Sequence, residues 1–176
     1  MSVGYLDTVA TALLDALADA LVQATTGRPP PAKVYVSHGL PAHDGCCDGG
    51  QATVWLERVE YRPVQDSGGA SAAGCVSDLW GTFVLEWARC VPTLDDTGAW
   101  PSDDDLDVSA GDLLEDLWAV LTELDDRRAT GTLVPGHQLC QGINPGDAVP
   151  LDPRGACAGW QVRVDVALQG AGPTGS

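Results

Sequence analysis

Between Gly159 and Gln169 the sequence alternates with a period of two. Trp160, Val162, Val164, Val166 and Leu168 fall on one side, and Gln161, Arg163, Asp165 and Ala167 on the other. Successive side chains of a β-strand point to opposite faces, so this run reads as a strand with one apolar and one polar face. Such a strand belongs in a sheet that is covered on one side only. The cover has to come from elsewhere in the chain and has to be amphipathic itself.

Two stretches meet that requirement. From Leu6 to Ala24, apolar residues recur at steps of three and four: Leu6, Val9, Ala10, Leu13, Leu14, Leu17, Leu21 and Val22, with Asp15 and Asp19 on the other face. This is helix periodicity, and Pro29, Pro30 and Pro31 forbid its continuation. A second helix is expected from an N-cap at Ser109 to about Arg128. Its buried stripe is read as Leu113, Leu114, Leu117, Trp118, Val120, Leu121 and Leu124. Asp112 near the start and Arg127 and Arg128 near the end suit the helix dipole.

Further strands are expected at Lys33–Ser37, at Gln51–Arg62 with Ala52, Val54 and Leu56 facing one way, and at Leu79–Val91. The last of these carries large apolar groups on both faces, which marks a central strand. A short strand is expected around His137–Cys140, and Ile143–Gly159 reads as turn-rich through Asn144-Pro145-Gly146 and Pro153-Arg154-Gly155. Asp66–Gly74 and Pro92–Val108 read as polar loops. The predicted fold class is α+β: a mainly antiparallel sheet with two long helices packed on one face. Residues 1–170 are expected to form a single domain, a normal size for one, and residues 171–176 a disordered tail.

Charge excludes some functions. The chain carries 25 acidic residues against 9 lysines and arginines, a net charge of −16. It has no basic stripe with which to neutralise phosphates, so sequence-reading nucleic-acid binding is not expected. Solubility is the plain reading of such a balance. The sharper one is a passage along which DNA slides without sticking. No run reaches the roughly 20 apolar residues of a membrane span, and the first residues lack a signal-peptide pattern.

No motif points to catalysis or to a cofactor. There is no GxSxG turn, no P-loop and no GxGxxG ahead of a helix. His38, His43 and His137 fall in loop-like stretches, and a Cys47–His43 nucleophile pair has no orienting motif beside it. The six cysteines, Cys46, Cys47, Cys75, Cys90, Cys140 and Cys157, contain no CxxC pair. Buried free thiols are the first reading in a reducing cytosol. A zinc site built on Cys46 or Cys47 with His43 is the second. Disulfides pairing Cys46 or Cys47 with Cys75 or Cys90 are the third, and spacing alone does not decide among them. Of the six tryptophans, Trp55, Trp80, Trp87, Trp118 and Trp160 fall on expected elements. Trp100, beside Pro101 in a loop, reads either as a contact residue or as a local cap over the second helix.

Several stretches together resemble the tail-terminator (neck-region) proteins of long-tailed phages that infect actinobacteria. They are the N-terminal helix with its three prolines, Val34-Tyr35-Val36-Ser37-His38-Gly39, and Asp44-Gly45-Cys46-Cys47-Asp48-Gly49 leading into Val54-Trp55-Leu56. They continue with the run from Phe83 to Pro92, the helix containing Leu113 to Leu124, and the closing strand Trp160–Leu168. The resemblance implies a non-enzymatic virion protein without cofactor or metal. It would be assembled in the host cytoplasm into a ring, hexameric in that family, which caps the head-proximal end of the tail tube. Its implied partners are further copies of itself, the major tail tube protein, and a head–tail connector or stopper, with DNA passing through the lumen and no membrane. Asp66, Ser67, Gly68, Gly69, Trp100, Pro101, Asp103, Asp104 and Asp105 are the expected interface residues. Another connector or stopper protein, or a cysteine-dependent zinc-binding module, are the alternatives.

Overall fold

The computed structural model describes residues 3–24, 29–42, 48–62, 79–133, 143–151 and 156–168. Its elements run α1 (Val3–Ala24), β1 (Lys33–Ser37), β2 (Gln51–Tyr61), β3 (Leu79–Cys90), α2 (Asp103–Thr130), β4 (Ile143–Pro150) and β5 (Cys157–Ala167). The strands form one five-stranded sheet in the order β1-β2-β3-β5-β4. Only β1 and β2 pair in parallel; β2–β3, β3–β5 and β4–β5 are antiparallel. The architecture is the expected α+β, with α1 and α2 packed on each other and on the sheet.

Register explains the core. Val54 lies opposite Leu85, which lies opposite Val162, and Leu56 opposite Phe83, which lies opposite Val164. These residues share one face, and α1 closes it with Val9, Leu13, Leu17 and Leu21, all fully buried. The central position of β3 follows from its burial, since Gly81 through Ala88 are buried on both faces. Gly159 of β5 sits against the Trp87 carbonyl so closely that a Cβ would land 1.8 Å from its oxygen. No larger residue fits there without separating the two central strands.

The chain enters β2 through Gly49 and Gly50, whose φ angles of 108° and 87° suit glycine. The backbone N–H groups of Ala32 and Lys33 bond the carbonyls of Gly49 and Gly50, which aligns β1 beside β2. Glu57 is the extra residue where the β2–β3 register shifts between Leu56 and Arg58.

Four expectations about elements are corrected. The second helix begins seven residues earlier than read: its N-cap is Ser102, not Ser109, so Asp103, Asp104 and Asp105 form its first turn instead of a loop. Asp112 therefore lies well inside the helix. The stretch read as turn-rich contains β4, with Asn144, Pro145 and Gly146 inside the strand and a register shift between Pro145 and Ala148. Proline and irregular pairing are tolerated there because β4 is an edge strand. Val22, assigned to the apolar stripe of α1, is exposed. The strand expected around His137–Cys140, the loop Asp66–Gly74 and the tail at residues 171–176 lie outside the described residues.

Candidate functional site

The second helix is longer than the surface it covers. Among its 28 residues only Asp116, Val120 and Leu124 are buried, so nothing before Asp116 reaches the core. At about 1.5 Å per residue, the thirteen residues from Asp103 to Glu115 amount to roughly 20 Å of helix without a buried side chain. Local chemistry holds that stretch. The Ser102 hydroxyl accepts from the Asp105 backbone N–H at 3.1 Å and donates to the Asp105 carboxylate at 2.6 Å, and three acidic residues occupy the first turn. At the other end Gly131 adopts a left-handed φ of 68°, and the N–H groups of Gly131 and Thr132 bond the carbonyls of Arg128 and Arg127.

Two ion pairs fix α2 in place. Arg89 on β3 makes a bidentate pair with Asp116, one bond at 3.1 Å, and Asp116 is 1% exposed. Arg127 bonds Glu123 one turn back and reaches Asp19 on α1 at 2.6 Å.

With that orientation set, one flank of α2 faces outward and is apolar. Leu114 is 57% exposed and Trp118 74% exposed, one turn apart, and Ala110 lies one turn before them. Leu114 and Trp118 were expected in the buried stripe, and the structure moves both out of it. Each directly follows a stripe residue, Leu113 or Leu117, and one helical step is about 100° of rotation. The buried side is narrower than the apolar arc. That excess of apolar width was the signal in the sequence that could have identified them.

Trp100 stands just ahead of the helix and is 83% exposed. It is not a cap packed over α2. A closed turn presents it: one Asp95 carboxylate oxygen accepts from the Thr97 N–H, the Thr97 hydroxyl and the Ala99 N–H at 2.7–2.9 Å, and Gly98 takes a φ of 82°. These donors hold the Asp95 carboxyl below its usual range, the Thr97 hydroxyl contributing most. Pro101 is half-buried and Asp103, Asp104 and Asp105 are exposed. From Val91 to Asp126 the sequence has twelve carboxylates and no lysine, arginine or histidine. Three of the twelve, Asp116, Glu123 and Asp125, are paired with Arg89, Arg127 and Arg128, and the apolar flank sits in a predominantly acidic field.

The helix-free face of the sheet has the opposite character, because its charges are matched. Arg62 bonds Glu60 and Asp165 at 2.6 and 2.7 Å and lies 4.9 Å from the centre of the Trp80 ring. The Thr82 hydroxyl donates to Asp165 at 2.6 Å, and Arg163 pairs with Glu57 at the register shift. Burial raises the Asp165 pKa, but the Thr82 hydroxyl and the Arg62 guanidinium outweigh it, so the carboxyl titrates below its usual range. A cleft of about 270 Å³ opens on this face, lined by Glu86, Gln161 and Arg163 with Leu40, Pro41, Val149 and Leu151 among its apolar walls. That is below the usual range for small-molecule pockets, and its lining brings no nucleophile together with a base.

Cys90 and Cys157, opposite each other in the β3–β5 register, are both disulfide-bonded. This corrects the reading of free thiols for these two residues and adds Cys157, which was not among the expected disulfide cysteines. Cys46, Cys47, Cys75, Asp66, Ser67, Gly68 and Gly69 lie outside the described residues, as do His43 and His137. His38 is exposed. Among the described residues no group of three or more histidines, cysteines and carboxylates is placed to hold a metal ion. No helix of the described residues is long and apolar enough to cross a membrane. No protein-family model matches the chain, and no curated protein matches it.

Proposed function

We propose that this chain is a structural assembly protein that acts through protein contacts, and specifically a tail-terminator ring protein at the neck of a long-tailed phage. The observation that carries the reading is the outward flank of α2. A soluble domain that exposes Trp118 and Leu114 together, with Trp100 held out on a closed turn, is built to be covered by protein. The sequence resemblance supplies the finer identity. The acidic balance supports it too, since a lumen that conducts DNA is served by a surface that repels phosphate.

The test is to mix the purified chain with tail tube protein during polymerisation. Light scattering is expected to show a closed oligomer, and electron micrographs a cap at one end of tubes that stop growing. Binding to an isolated connector without any effect on tube growth would favour the connector or stopper role. A strict monomer that leaves tube growth unchanged would overturn the proposal.

A further inference from the structure

We infer that the outward flank of α2 docks a different protein, one whose contact face has an apolar centre and a lysine- or arginine-rich rim. This goes beyond a ring reading, because it assigns the flank to a partner that is not another copy of this chain. The argument is charge complementarity. Leu114 and Trp118 form the apolar centre, and the surrounding stretch from Val91 to Asp126 is acidic without a single cation. A two-fold contact of the flank with itself would set carboxylates against carboxylates. Among the described residues, another face of a second copy has little unengaged positive charge to offer, Lys33 also having a partner. The six described arginines are each engaged by a carboxylate of their own chain: Arg58, Arg62, Arg89, Arg127, Arg128 and Arg163. A partner that brings its own cations neutralises the field. It also gains cation–π contact with the exposed Trp118 ring while its apolar centre covers Leu114. The flank is ordered before the partner arrives, because the Ser102 cap and the Arg89–Asp116 pair already hold the helix, so little ordering entropy opposes docking.

The probe is a synthetic amphipathic helical peptide with a leucine face and a lysine/arginine face, titrated into the full chain and followed by tryptophan fluorescence. Two control peptides accompany it, one with glutamate for every cation and one with serine for every leucine. The basic amphipathic peptide is expected to bind, with affinity falling as salt rises. Trp118→Ser combined with Leu114→Ser is expected to weaken it about tenfold or more, in the range of interface anchor residues. Both side chains are exposed, so the variant should keep its melting temperature and its oligomeric state, which separates loss of this site from failure of the ring reading. Three results would overturn the inference. The first is equal binding of the serine control peptide, or of the double variant, which would reduce the effect to net charge. The second is absence of binding by the basic peptide. The third is self-association of the wild-type chain that Trp118→Ser abolishes, which would make the occupant a second copy.

Discussion

Asp116 and Arg89 show how much a single pair of residues can decide. A carboxylate 1% exposed is tolerable only because a guanidinium meets it with two bonds, and the same arginine reaches the Pro29 carbonyl at 3.4 Å. Removing one partner leaves the other buried and uncompensated. Asp116→Ala should therefore destabilise the fold by about 3–5 kcal/mol, whereas replacing both with apolar residues of similar volume should restore most of the loss. Urea titration of the two variants checks this, and equal instability in both would refute the pairing account. Asp165 makes a second prediction, with a sign fixed by its depressed pKa. Protons bind the unfolded chain more readily at this site, so its contribution is present above the ordinary aspartate value of about 3.9 and is lost as pH falls through the lower folded value. Asp165→Asn should be less stable at neutral pH and should show a shallower loss of stability below about pH 4. Superimposable acid limbs for the two proteins would show that Thr82 and Arg62 do not hold the carboxylate as described.

At the scale of elements, α2 is two helices in one: a packed half from Asp116 onward and an outward half before it. The outward half depends on its cap, so Ser102→Ala should cost about 1 kcal/mol locally. Amide exchange should speed up over residues 103–110 while the urea midpoint barely moves, because no buried contact there couples local fraying to global unfolding. A large drop in the midpoint would mean that this half is packed after all. The same division explains what the sequence made legible. Alternation along β2 and β5 and the two-sided apolar character of β3 gave the sheet, because burial imposes periodicity on the residues that experience it. The sequence points to Ser109 instead of Ser102 as the start of α2 because apolar periodicity begins only where packing begins, and upstream of that point a capped acidic turn resembles a loop. Trp118 and Leu114 look like core residues for the complementary reason: an apolar arc wider than the buried side of the helix looks like a single face. The edge strand β4, which accommodates Pro145 and Gly146 through irregular pairing, carries no alternation to read.

For the whole molecule, the central difficulty is charge. With 25 carboxylates against 9 lysines and arginines, compaction brings like charges together, and self-repulsion opposes the folded state. Three of the described arginines tie elements together: Arg89 joins α2 to β3, Arg127 joins α2 to α1, and Arg62, just past the end of β2, reaches Asp165 on β5. They do not balance the rest, which leaves the outward half of α2 as an acidic arm. Constraints that do not depend on charge are then valuable, and Cys90 at the end of β3 and Cys157 at the start of β5 are each disulfide-bonded. Disulfides typically stabilise by 2–4 kcal/mol, and one kcal/mol moves the melting temperature of a chain this size by roughly 2–4 °C. Reductant should therefore lower the melting temperature by roughly 5–15 °C per bond opened, with the largest practical consequence at low ionic strength, where repulsion is least screened. Calorimetry with and without reductant, alongside a thiol titration proving that the bonds have opened, measures the effect. An unchanged melting temperature in fully reduced protein would show that packing and ion pairs suffice, and that the bonds at Cys90 and Cys157 do not offset the repulsion of an acidic chain.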